Sequence, residues 1–211
     1  MGMDKMLKLV TVSFLLALCV GCATSRSEVD VMPASLDKAS NTASLGKKVY
    51  INTVDERVFE AKPKQADIPS LKNAEISDRA ITERAIGRKR NGYGKALGDV
   101  LLPSGRTISA LVGESVASAY RQAGYEVVTK PETSAAEVKV HVKEFWSWFS
   151  PGFFYVTVNN KSRLNIETDG QQSMEIVTFK SDGMQAVTDS DWKAITEAGL
   201  QEIAKETASK L

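Results

Sequence analysis

The chain has 211 residues, with Lys+Arg 27 against Asp+Glu 26, a formal net charge of +1 and 43% hydrophobic residues. This balance excludes a global field that would recruit nucleic acid, and the apolar content suffices for one domain with its own core. With a single histidine, His-based triads and multi-histidine metal sites are excluded as well.

In chain order, the first segment reads MGMDKMLKLVTVSFLLALCVGCATS, with Lys5 and Lys8 ahead of an uncharged apolar run over residues 9–20. The run is shorter than the roughly 20 residues a spanning helix needs, and its basic flank is that of a secretory signal. Gly21 directly before Cys22 resembles the lipobox of bacterial lipoproteins, where signal peptidase cuts ahead of the cysteine and its thiol carries diacylglycerol. Cys19 stands where that pattern usually has Leu, Val or Ile, yet it follows bulky Leu18, so Cys22 is the expected lipidation site. Met6 stands where N-myristoylation needs a hydroxyl residue. Cys19 would leave with the signal and Cys22 would be acylated, which rules out disulfides, thiol catalysis and cysteine-bound metals. Residues 1–21 are therefore expected as a signal peptide, and 22–46 as a lipidated cysteine with a flexible tether rich in Ser, Ala and Thr. Residues 47–211 are expected as a single α+β domain.

In that domain, KKVYINTV (47–54) predicts strand one, closed by Asp55, Glu56 and Arg57. A polar passage rich in Gly and Pro (58–105) predicts a long loop, with a short helix at 77–86. It contains a basic run, RAIGRKRNGYGK, in which Arg84, Arg88, Lys89, Arg90 and Lys95 have no acid among them. From Thr107 the apolar residues Ile108, Leu111, Val112, Val116, Ala119 and Tyr120 recur at helical spacing to about 122, and Gly124 supplies a left-handed C-cap. Strands follow at 126–129, 137–144, 153–158 with its continuation through Ile166, and 174–179. A second helix at 190–210 carries Trp192, Ile195, Gly199, Ile203, Ala204 and Thr207 on one stripe, with Asp189 or Ser190 as N-cap. The simplest packing is an antiparallel sheet of four or five strands with both helices on one face.

One stretch resists that scheme. FWSWFSPGFFY (145–155) puts seven aromatic side chains into eleven positions. Strict alternation would send Trp146, Trp148 and Phe154 under the helices with Val138, Val140 and Val142. Phe145, Phe149, Phe153 and Tyr155 would then lie on the opposite face, which should be polar. The long loop, a protein partner or lipid could cover them. Lipid is the weakest of the three, because the nearest basic flanks, Lys143 and Lys161, are several residues away.

The motifs for chemistry fail. His141 falls between two lysines on a polar strand face, Gly92 and Gly94 lack phosphate-loop spacing, and Asp55 beside Glu56 is a charged strand end. No catalytic residue, metal site or cofactor is expected.

The Gly21 and Cys22 junction, the strand ending VDERV, the helix leading to AGYEVV, and AEVKVHVKEFWSWFSPGFFYVTV together resemble the YajG-like family of Gram-negative outer-membrane lipoproteins. Sequences with VDERVFEAKP and RAIGRKRNGYGKALGDVLLPSG often carry the label flagellar biosynthesis protein. The resemblance covers about residues 47–200, and shorter members lack most of 58–105. It implies a periplasmic domain on the inner leaflet of the outer membrane, and Ala23 after Cys22 resembles the outer-membrane sorting signal. The expected function is non-catalytic, as an accessory or adaptor in envelope or flagellar assembly, with carriage of a lipid or glycan component as the alternative. A protein partner in the envelope or flagellar apparatus would meet Arg84, Arg88, Lys89, Arg90 and Lys95, or Phe145, Phe149, Phe153 and Tyr155.

Overall fold

The computed structural model describes residues 25–37, 44–152, 154–170 and 172–211; the signal segment, Cys22 and Phe153 lie outside them. The fold is α+β, with three α-helices and one eight-stranded mixed sheet among the described residues. Its strands are β1 (Ser27–Glu28), β2 (Lys48–Asp55), β3 (Ala85–Arg90), β4 (Ala96–Leu101), β5 (Glu126–Val128), β6 (Ala135–Ser150), β7 (Val156–Thr168) and β8 (Met174–Met184). The helices are α1 (Arg79–Thr82), α2 (Ile108–Gln122) and α3 (Asp189–Ser209).

β6 is the spine. One edge pairs antiparallel with β7, which pairs with β8 in turn, as the alternating sequence predicts. The other edge is shared. Its first half pairs parallel with β2 over Ala135 to Val142, and its second half meets β3 through Gly87 and Ser147. Parallel pairing is what an intervening helical crossover permits, so the sheet is mixed and not antiparallel throughout.

Arg57 sits where β2 leaves β6 and β3 takes over. Its buried guanidinium pairs with Asp55 at 2.8 Å and donates to the carbonyls of Ala85 (2.6 Å), Thr82 (2.8 Å) and Phe145 (3.1 Å). It also lies over the Phe59 ring at 5.1 Å. The backbone acceptors exposed by the divergence of the two strands are thereby satisfied from one side chain.

α2 and α3 cover one face and enclose the main core, which includes Val138, Val140, Val142, Leu164 and Ile203. The Thr107 hydroxyl caps α2, and Gly124 takes the left-handed φ of 94° expected after it. α3 is capped by Thr188 in a capping box with Asp191, one residue ahead of the expected cap. Under α3 a buried polar row runs from Thr196 to Ser147 (3.2 Å) and from Asn160 to Ser147 (2.9 Å). Gly199 allows the approach, since a methyl group there would overlap the Asn160 amide.

Strict alternation along β6 breaks between Val142 and Glu144, where Lys143 forms a bulge. An extra residue reverses every later side chain. Phe145 therefore joins the core under the helices, with Phe149 packed against it, and Trp146 and Trp148 turn to the other face. There the long passage covers them, as one of the three alternatives anticipated, though it covers the opposite set of rings. Trp146 donates to the Ala66 carbonyl at 3.2 Å, meets Phe59 edge-on at 5.9 Å, and shares a second small core with Leu71, Ala85 and Leu101.

Two further expectations change. Residues 58–105 are no loop broken only by a short helix: α1 falls within the expected 77–86, but the β3–β4 hairpin, which carries the basic run, follows it. Residues 25–37, expected as tether, are docked. β1 pairs with β4, Val29, Val31 and Ala34 are buried, and the strap runs across both long helices. Its backbone donates to Glu197 from Met32 (2.9 Å), to Ser115 from Ala34 (3.0 Å) and to Ser118 from Leu36 (2.6 Å).

Candidate functional site: an open pocket at one end of the sheet

Because β3 runs parallel to β6, the β3–β4 turn and the β6–β7 turn project from the same end of the sheet. The β8–α3 connection closes the third side. Between them lies an open pocket of about 430 Å³. Phe149 and Val156 reach it from β6 and β7, Leu97 from β4, Val187 from the connection and Trp192 from the first turn of α3. Lys89 and Arg90 enter from β3, and Asp189 from the helix start. An apolar floor with a few convergent polar groups in this size range is the usual form of a ligand site.

The electrostatics are uneven. Lys89 is matched by Asp189 at 3.0 Å. Arg90 donates to two neutral acceptors, the Gly94 carbonyl (3.0 Å) and the Ser70 hydroxyl (2.9 Å), and its buried Nε has no hydrogen-bond partner among the described residues. Burial, and then the like charge of Arg88, push the Arg90 pKa down, against a smaller opposing pull from Asp99. The guanidinium is thus under-compensated, and an anion at the pocket mouth would be favoured there.

The turns that rim the pocket expose aromatic rings. Asn91 Oδ1 accepts from the Tyr93 and Lys95 amides at 3.0 and 2.9 Å, and Gly94 adopts φ 79°, which shapes a tight turn with Tyr93 at its tip. Tyr93 is 99% exposed, Phe154 86% and Tyr155 59%. Exposed aromatics beside an apolar pocket are the residue types that anchor interfaces.

Among the residues singled out from sequence, Lys89, Arg90 and Phe149 line the pocket, and Lys95 and Tyr155 lie in the two turns at the same end of the sheet. Three others belong elsewhere. Arg84 is paired with Glu28 and donates to the Leu102 carbonyl at 2.8 Å. Arg88 is buried against Asp99 at 3.3 Å, which also accepts from Arg26 at 2.8 Å. Phe145 is fully buried. These three are structural: the acids that neutralise the basic run lie outside it, in β1, β4 and α3, so local sequence overstated its free charge. Phe153 and Cys22 lie outside the described residues. Sequence reading missed Leu97, Val187 and Tyr93 and assigned Trp192 to core only; the one available signal was the exposed Tyr93 inside an Asn-Gly-Tyr-Gly turn.

Elsewhere, His141 meets Glu56 at 2.7 Å on the outer sheet face, and Glu56 also pairs with Lys143, whose hydrogen bond, followed by that of His141, lowers the Glu56 pKa. Among the described residues no three His, Cys, Asp or Glu side chains cluster to hold a metal ion, and no helix is long and apolar enough to cross a membrane.

No protein-family model matches the chain, and no curated protein matches it. Several solved structures are similar. One, titled only as an uncharacterized protein, is 9% identical with TM-score 0.47 over 89% of this chain and 97% of its own. A Xanthomonas campestris protein of the DUF330 family is 10% identical with TM-score 0.49 over 88% of this chain and 93% of its own. A Helicobacter pylori homologue of neuraminyllactose-binding hemagglutinin is 13% identical with TM-score 0.35 over 84% of this chain and 92% of its own.

Proposed function

We propose that this protein is a non-catalytic envelope lipoprotein, held by Cys22 on the periplasmic face of the outer membrane, that works as an accessory or adaptor in envelope or flagellar assembly. The observation that supports this reading is the end-of-sheet pocket: an apolar lining, an under-compensated Arg90 and exposed aromatics in the neighbouring turns. A carrier or binder of a lipid or glycan component is the second reading. The pocket volume favours it, since about 430 Å³ falls within the range of small-molecule sites.

Both readings make Val187 a useful probe, because it lines the pocket from a connection and not from the core of an element. Val187→Arg should place a charge on the apolar floor while leaving the fold intact by its melting temperature. Intact protein purified from membranes, wild type and variant, is then compared by mass spectrometry of captured proteins and of extracted lipids and glycans. A protein partner lost only in the variant supports the adaptor; a stoichiometric lipid or glycan lost only in the variant supports the binder. Identical profiles from both chains would refute the pocket as the working site.

A further inference from the structure

The first described residues of the strap lead toward the end of the sheet that carries the pocket. β1 runs parallel to β4, with Ser27 opposite Val100, so going back along the strap leads toward the β3–β4 turn. Ser25 packs on Gly98, where an added methyl would overlap its carbonyl, and Arg26 is fixed by Glu75 (2.7 Å) and Asp99 (2.8 Å). Leu97, next to Gly98, lines the pocket. Three residue steps separate Cys22 from Ser25, a reach of at most about 11 Å. An anchor at Cys22 would therefore tie the bilayer to within that reach of Ser25, at this end of the sheet.

We infer that the end carrying the pocket and the two turn tips is a membrane-contact face, with Tyr93, Phe154 and Tyr155 seated at the headgroup level of the phospholipid leaflet that holds the anchor. The inference rests on the lipoprotein reading. A long tether would have let the body take any orientation; a docked strap leaves only one end within reach of the bilayer. The groups at that end suit it. Amphipathic and apolar rings are the residues that favour the membrane interface, and exposed Lys95 on the neighbouring turn, with Arg90 at the pocket mouth, faces lipid phosphates. In sequence the aromatic tip lacked basic neighbours; in the fold the β3–β4 turn supplies them.

The test uses the full acylated chain in vesicles of phosphatidylethanolamine and phosphatidylglycerol. Cysteines introduced singly at Tyr93, Phe154 and Asp169, the last in the turn after β7 at the opposite end of that strand, are labelled with an environment-sensitive fluorophore and challenged with nitroxide-bearing lipids. Labels at 93 and 154 should blue-shift and lose at least half their emission to headgroup-level nitroxide, and the label at 169 should do neither. Tyr93→Ser together with Phe154→Ser should relax that contact, read as a gain in water accessibility of a label at Tyr155. If the intact mass shows no acyl chains, the anchor reading falls and the inference with it. If the chain is acylated and vesicle-bound but the labels at 93 and 154 stay in water, the inference alone is overturned.

Discussion

Arg57 shows how much one side chain can hold. Its guanidinium is enclosed, its carboxylate partner Asp55 is nearly buried, and three backbone carbonyls from β3, β6 and the α1 turn depend on it. Replacing it removes the donor and leaves Asp55 without its counter-ion in a dry site. Breaking a buried pair in this way costs about 3–5 kcal/mol. Arg57→Ala should lower the free energy of unfolding by that amount in urea denaturation, and Arg57→Lys should recover only part, because an ammonium cannot present the same planar fork to four acceptors. A loss below about 1 kcal/mol for Arg57→Ala, the scale of an exposed pair, would show that the site is wet. Nothing in the string DERVF announces this role. The residue reads as a charged strand end because its backbone acceptors come from positions 25, 28 and 88 residues away.

At the scale of elements, what was legible from sequence followed from regular periods. α2, α3 and the β6–β7–β8 meander emerge from helical spacing and strict alternation, since local sequence alone decides which side of a regular element is apolar. β3 stayed hidden because its buried positions include Arg88 and Lys89, neutralised by Asp99 across the hairpin and by Asp189 far along the chain, and β4 because Gly98 and Asp99 interrupt its short apolar run. The aromatic stretch was assigned to the wrong faces for one reason, the bulge at Lys143. That error is itself testable. Deleting Lys143 would remove the bulge and leave Val142, Glu144 and Phe145 opposite Leu164, Arg163 and Ser162, so Phe145 should stay under the helices and unfolding should stay cooperative. Deleting Ser147, beyond the bulge, would instead turn Trp148 inward and Phe149 outward. No repacking of neighbouring side chains can correct a reversal of the strand. The Ser147 deletion should abolish cooperative unfolding or cost at least the ~3–5 kcal/mol of losing a core aromatic. Equal stability of the two deletions would place the register elsewhere.

At the scale of the whole molecule, the strap formed by residues 25–37 links anchor, fold and site. Residues 23–46, which include it, read as linker because Ser, Ala, Thr and Asp outnumber Val, Met and Leu there and no helical or strand period runs through the segment. The burial of Val29 and Val31 is decided by grooves on β4 and the helical layer that no local pattern reveals. A strap bound by its own core residues holds the body beside the membrane; an unbound one would let it swing. The two cases differ in stability. Val29→Ala combined with Val31→Ala removes buried methyl groups from the main core and should destabilise the full chain by about 2–4 kcal/mol, at ~0.8 kcal/mol per buried carbon plus a cavity term. Met32→Ala, in the same strap but on its exposed side, should change stability by less than about 0.5 kcal/mol. Equilibrium urea unfolding followed by tryptophan fluorescence reads both, because Trp146 and Trp192 are buried in the folded body. The same double variant should loosen the coupling between anchor and body, so that a label at Tyr93 on the acylated chain moves toward water while the anchor stays inserted. If the double variant is as stable as Met32→Ala, the strap contributes no core and the orientation argued from its short reach is lost.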